Sequence, residues 1–386
     1  MAWELIKVED QRKQLVELYY DGEMSMTEIC AHFRISRKTG YKWLARHESF
    51  GDQGLKDLPR APKAPNRIYS SWHIEKAIEL KSKRLRWGAR KVIAALKRQY
   101  PKENWPSESR LQEIFGERGL VRKRRYRRKV PATHPLSHVF HANDVWAADF
   151  KGWWRTVNGE KCEPFTVTDS HTRFVICCLH MGKKTADNVW AVLERAFQEY
   201  GLPKRLRTDN GPPFGSVAAG RLTKLSVNLI KAGVTPEWIE PGHPEENGRH
   251  ERFHLTLKEN VALPPAQNLS SQVRQMNEFV QEYNYDRPHE ALDMRTPADC
   301  YSASNRSWDG LLRSPEYDTA CGDVRKVTPA GTIWVSGTEI YVGQSLTGEY
   351  VQLKGDNPEC KPIYYGPVLL GDYVGKKSLQ RVRQIQ

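Results

Sequence analysis

Along the first third of the chain, apolar residues recur at helical spacing. In SMTEICAHF, Ile29 and Phe33 stand four apart behind two candidate caps, Ser25 and Thr27. Helices are predicted over residues 11–20 and 27–46, with Ile35 filling a turn and Ser36 capping SRKTGYKWLARH. This layout is a helix-turn-helix, which lays its second helix in the major groove of DNA. Tyr41 and Leu44 are expected to face inward on that helix, and Arg37, Lys38, Thr39 and Lys42 outward toward DNA. Gly40 weakens it by about 1 kcal/mol relative to alanine.

The next stretch, GDQGLKDLPRAPKAPNR, is rich in Gly and Pro and reads as an extended linker. WGARKVIAAL and PSESRLQEIFGERGLV then predict two further helices, the second starting near Ser107 and stopped by Gly119. From about residue 140 the period changes. NDVWAADFKGWW is an apolar strand carrying Asp149, and PFTVTDSHTRFVICCLH is two strands joined at Asp169-Ser170-His171. TADNVWAVLERAFQEYG is an amphipathic helix with Val189, Val192, Leu193 and Phe197 on one face. A short strand ending at Asp209-Asn210-Gly211, a helix over KLSVNLIKAGV and a short strand in TPEWIEPGH complete a mixed α/β pattern. The C-terminal stretch has short alternating runs broken at Ser336-Gly337 and Thr347-Gly348. The fold expected is multidomain. A helix-turn-helix domain (1–50), a linker (51–69) and a second helical DNA-binding module (70–121) come first. A basic linker (122–138), an α/β core (139–302), a connector (303–322) and a small β-rich region (323–376) follow.

Charge sharpens this division. The net charge is +14, yet residues 1–136 hold 31 Lys/Arg against 16 Asp/Glu, a net of +15, so the remaining 250 residues sum to −1. A basic front on a near-neutral body points to nucleic acid. Its densest part is RKRRYRRK, where Arg122, Lys123, Arg124, Arg125, Arg127, Arg128 and Lys129 place seven charges in eight positions. Laid on phosphates, such a block releases counterions and binds with strong salt dependence. No run of eighteen apolar residues exists, and MAWELIKVEDQRKQ is no signal peptide, so a soluble cytoplasmic protein is expected, without membrane partners. Seven cysteines form no CxxC pair and read as reduced thiols.

Two aspartates end candidate neighbouring strands, and a glutamate-bearing helix follows. Carboxylates are the hard oxygen ligands Mg²⁺ prefers, and paired metals can activate and stabilise oxygens in phosphodiester chemistry. Three pieces carry a resemblance: WAAD ending at Asp149, TDNGPPF (Thr208–Phe214) and PEENGRHER (Pro244–Arg252). Together they resemble the core of DDE transposases and retroviral-type integrases. YNYDRPHEALDMRTPADCY (Tyr283–Tyr301) resembles the segment that follows this core in bacterial insertion-sequence transposases. The resemblance implies a ribonuclease-H-like core, two Mg²⁺ or Mn²⁺ ions, DNA strand transfer and an SH3-like C-terminal β-barrel. It matches Asp149, Asp209 and Glu251 to the family's three acids. The zinc module of the retroviral branch has no counterpart in the sequence.

Which glutamate is the third acid needs an argument. Thirty-five residues separate Asp209 from Glu245, the spacing often associated with the family, against forty-one for Glu251. Context favours Glu251, three positions after Gly248 in the first turn of a helix that Asn247 can cap. Glu251, Leu255 and Lys258 then share a face, and the extra six residues fall in the loop 215–223. Asn210, Asn247, Arg252 and Lys258 join the expected DNA contacts. The expected partners are the element's terminal repeats, target double-stranded DNA and further copies of the chain. The competing readings are a DNA-binding regulator on an inactive core and a nuclease that cuts without joining.

Overall fold

The computed structural model describes residues 8–58, 69–121, 139–239, 248–355, 360–375 and 379. It separates into two units, residues 1–68 and 69–386. In the first, α1 (Val8–Asp21), α2 (Met26–His32) and α3 (Arg37–Phe50) enclose Leu15, Val16, Ile29 and Trp43. Ser25 caps α2 reciprocally: its N–H donates to Glu28 Oε2 at 2.8 Å, and the Glu28 N–H donates to Ser25 Oγ at 3.4 Å. Ser36 caps α3 by accepting from the Thr39 N–H at 3.2 Å.

Two expectations for this unit fail. Tyr41 is 52% exposed, and Gly40 takes the inward position. A Cβ on Gly40 would lie 2.6 Å from Cys30 Sγ and 2.9 Å from Met26 Sδ, so the missing side chain is what lets α2 and α3 cross closely. The stretch after α3 does not begin as an extended linker. Gly51–Leu55 forms a 3₁₀ turn that folds Leu55 into the core, where the Arg12 guanidinium donates to its carbonyl at 2.7 Å.

The second unit begins with α4 (Ser71–Lys83), α5 (Ala89–Gln99) and α6 (Glu108–Glu117), packed on Trp87, Val92, Leu96, Leu111 and Phe115. Ser107 caps α6 as expected, accepting from the Arg110 N–H at 3.3 Å. These helices are tied to the core by Arg98, which donates to both Asp299 oxygens at 2.9 and 3.0 Å, and by pairing of Arg84 with Glu282.

The core is built on five strands: β1 (Val145–Phe150), β4 (Pro164–Asp169), β5 (Val175–His180), β6 (Arg205–Thr208) and β7 (Thr235–Trp238). Their order is β5-β4-β1-β6-β7; β1, β6 and β7 run parallel, and β4 runs antiparallel to both of its neighbours, β1 and β5. A small hairpin, β2 (Trp154–Arg155) and β3 (Lys161–Cys162), follows β1. Alternation along β1 decides the two faces. Trp146 and Ala148 point to α7 (Ala186–Tyr200) and α8 (Lys224–Lys231), joining Val189, Leu193, Phe197, Leu225 and Leu229. The opposite face is covered by α9 (Gly248–Leu257) and α10 (Leu269–Gln281), through Phe253, Leu257, Met276 and Phe279. This is the ribonuclease-H-like layout. The chain then passes the short α11 (Pro297–Cys300), and Arg306 fastens the connector by donating to the Pro203 carbonyl at 2.8 Å.

The C-terminal strands form two ladders. β8 (Gly322–Lys326), β11 (Tyr350–Lys354), β12 (Lys361–Tyr365) and β13 (Val368–Tyr373) make a sheet ordered β13-β12-β11-β8, while β9 (Thr332–Val335) and β10 (Thr338–Tyr341) pair as a hairpin. No ladder among the described residues closes them into a barrel. They pack on the outer side of α8, where Val227 and Ile230 meet Val351, Ile363 and Tyr365. Among the described residues no helix is long and apolar enough to cross a membrane.

Candidate active site

Register places the two aspartates. Trp146 of β1 stands beside Leu206 of β6, and Ala147 beside Arg207. Continued two residues, the register sets Asp209 beside Asp149, in a parallel pair about 4.8 Å apart at the backbone. On the other side of β1, Asp149 pairs with Thr166 of β4. In-register neighbours share a face, so Asp209, Asp149 and Thr166 form one row across the sheet, beneath α9. Both aspartates lie at strand ends, where the sheet opens.

Their electrostatics follow from this placement. Burial pushes the Asp149 carboxyl up to about 7, with repulsion from Asp209 adding to it and a smaller push from Glu251. Burial also raises Asp209, against the Gly211 N–H, which donates to it at 3.3 Å, and against nearby Lys184. Glu251 lies in the first turn of α9 and is exposed. The three acids therefore share one field, two on the sheet and one on the helix above it. Among the described residues no three His, Cys, Asp or Glu side chains are already drawn into a metal cage.

What holds α9 down was not anticipated from the sequence. Its buried stripe is His250, Phe253, His254 and Leu257, at the i, i+3, i+4, i+7 spacing of a core-facing helix. His250 Nε2 lies 2.8 Å and His254 Nε2 2.7 Å from the Thr166 hydroxyl. Thr168 Oγ1 lies 2.8 Å from His250 Nδ1, and Thr166 donates to the Asp149 carbonyl at 3.0 Å. His254 Nδ1 is 3.7 Å from Asp149 Oδ2. Burial lowers His250 to about 3 and His254 to about 2, so both rings are neutral. Two polar residues inside an otherwise apolar stripe were the available sign.

The remaining expected site residues lie elsewhere. Asn210 is used within the chain: its amide donates to the Ile239 carbonyl at 2.7 Å and accepts from Arg221 at 2.8 Å. Arg252 and Lys258 are exposed on the side of α9 and its extension. Arg37, Lys38 and Lys42 are exposed on α3, and Thr39 is half-buried against Ser36. Arg122, Lys123, Arg124, Arg125, Arg127, Arg128, Lys129, Glu245, Glu246 and Asn247 lie outside the described residues.

Comparison with known proteins agrees with this architecture. Residues 141–244 and 232–297 match two family models described as an integrase core domain, and residues 11–63 match a helix-turn-helix domain. Over residues 141–297 the chain is thus similar to integrase core domains, with a helix-turn-helix match in front of that region. More particularly, it is similar to proteins of bacterial insertion elements. It is 29% identical over 233 residues to the insertion element IS407 uncharacterized 31.7 kDa protein of Burkholderia multivorans, covering 60% of this chain and 80% of that one. It is 27% identical over 222 residues to the insertion element IS476 uncharacterized 39.2 kDa protein of Xanthomonas euvesicatoria, covering 57% and 62%. Among solved structures, the HTLV-2 integrase catalytic core domain in complex with magnesium aligns at 17% identity and a TM-score of 0.34, over 42% of this chain and 97% of that chain.

Proposed function

We propose that the protein is a DNA transposase that binds the ends of its element, cuts a strand there and joins the freed end to target DNA. The observation that supports this reading most is the row Asp209–Asp149 at paired strand ends, with Glu251 close enough to raise Asp149 further. Asp149 is raised to about 7 by burial first and by neighbouring Asp209 next, and Lys151 offsets this only in part. Hard divalent cations fit it by donor chemistry: three carboxylates, with oxygen donors throughout. Asp149, Asp209 and Glu251 would hold two ions, Mg²⁺ or Mn²⁺. When bound, the pair supplies activation of the attacking oxygen and stabilisation of the leaving one in phosphodiester exchange.

The chain's own groups do the rest. Asp149 and Asp209 must both be ionised at the working pH, so cation and proton compete for Asp149. The helix-turn-helix would read the element's terminal repeats through Arg37, Lys38, Thr39 and Lys42. The helices α4–α6, the segment Arg122–Lys129, Arg252 of α9 and Lys258 just after it would add phosphate contacts. Cutting two ends calls for more than one core, so the working form would be a homo-oligomer on DNA.

The test uses duplexes carrying the inverted ends of the DNA that flanks the reading frame. Asp209→Asn should abolish strand cleavage and leave duplex binding within about 2-fold, because the amide keeps the shape and removes the charge. Cleavage should require Mg²⁺ or Mn²⁺ and fail in Ca²⁺, which is larger and looser in geometry. Cleavage that persists in a chelator, or in Asp209→Asn, would overturn the reading.

A further inference from the structure

We propose that Thr166 is a positioning residue whose hydroxyl locks the helix bearing Glu251 to the strand bearing Asp149. It deepens the transposase reading and rests on it. A threonine hydroxyl has one hydrogen to give and two lone pairs to offer. Three polar atoms surround it: the Asp149 carbonyl at 3.0 Å, His250 Nε2 at 2.8 Å and His254 Nε2 at 2.7 Å. The carbonyl has no hydrogen, so it takes the hydroxyl's. Both imidazoles must then donate from Nε2, and the hydroxyl is saturated.

This count fixes both tautomers. His250 presents a bare Nδ1, which the Thr168 hydroxyl serves at 2.8 Å. His254 presents a bare Nδ1 at 3.7 Å from Asp149 Oδ2. A nitrogen lone pair there donates no hydrogen bond to Asp149, so His254 takes up none of the carboxylate's acceptor capacity. All four side chains are buried: Thr166 and His250 are 0% and 1% exposed, Thr168 and His254 6% each.

The same contacts set a register. His250 and His254 stand four apart on α9, so both point down on one side. Rotation by one residue would swing each by about 100° and orphan two buried donors at once. Glu251 is carried between them. The distance from Glu251 to the aspartates is thereby decided at Thr166, on the sheet, and not in the exposed turn where Glu251 sits.

The experiment measures Mn²⁺ binding to the full-length protein, by the loss of the free-ion electron paramagnetic resonance signal, alongside Mn²⁺-dependent cleavage of a terminal-repeat duplex. Thr166→Val removes the hydroxyl at constant shape and should weaken Mn²⁺ binding about 10- to 100-fold, the usual effect of losing a group that orients metal ligands. Thr166→Ser should restore binding to within about 3-fold. Should Thr166→Val not fold, the combination Thr166→Val with His250→Phe and His254→Phe decides, because it removes both imidazoles together with the hydroxyl they share and leaves only the Thr168 hydroxyl without its partner. Its circular dichroism should match the wild type while its Mn²⁺ binding falls. A folded valine or triple variant that binds Mn²⁺ like the wild type would overturn the proposal and leave Thr166 a packing residue. If the wild type binds no Mn²⁺, or Asp149→Asn binds it equally well, the transposase reading itself falls and takes this one with it.

Discussion

Asp149 and the two histidines of α9 pull stability in opposite directions with pH. For Asp149, the folded value of about 7 lies above the ordinary 3.8, so the folded state holds a proton the unfolded state has lost. Stability of the metal-free protein should therefore fall as pH rises from about 4 to about 7, at no more than about 1.4 kcal/mol per pH unit from this group. His250 and His254 are depressed to about 3 and about 2, so the unfolded state gains their protons first. Their contribution is intact above pH 6.5 and is lost progressively as pH falls below it. Thermal melts from pH 4 to 8 should show Asp149→Asn gaining stability at pH 8 and little at pH 4. Divalent ions should raise the wild-type melting temperature at pH 8 and leave Asp149→Asn unmoved. At this scale the sequence was partly legible. Asp149 and Asp209 announce themselves as acids ending apolar strands. The histidines do not, since a helical stripe read by hydrophobicity skips them, and it takes Thr166 and Thr168 on a distant strand to explain their burial.

At the scale of elements, caps and periodicity carried far. Ser25, Ser36 and Ser107 start their helices where the patterning put them, and the five core strands fall on the expected runs. Tyr41 was misplaced because Gly40 has no hydrophobic signature; its burial comes from α2 pressing against it. Gly40→Ala is a direct check. The substitution gains about 1 kcal/mol of helix propensity. It also puts a methyl 2.6 Å from Cys30 Sγ, and overpacking of this kind costs about 1–3 kcal/mol. Chemical denaturation should show a net loss for Gly40→Ala and partial recovery in Gly40→Ala with Cys30→Ala, where the nearer sulfur is gone and Met26 Sδ at 2.9 Å remains. Leu55 was read as linker for a similar reason: one leucine among Gly, Asp and Lys gives no period, yet a 3₁₀ turn suffices to bury it.

Over the whole molecule, the charge division predicts how DNA is held. Arg37, Lys38 and Lys42 stand exposed on α3. If each neutralises one phosphate, replacing all three by alanine should flatten the log–log salt dependence of binding by about 2.7, at about 0.9 per contact. An unchanged slope in filter binding would move the DNA off α3. The connections between modules were the least legible part. Charge and proline content mark boundaries, but nothing in RKVIAALKRQ says that Arg98 will grip Asp299, 201 residues on. That grip and the pairing of Arg84 with Glu282 make α4–α6 and the core one piece. DNA seized by these helices would lie at a constant offset from the acids, so the body would act as a ruler. The cut would fall at a set count of base pairs from the sequence recognised, whatever the letters between.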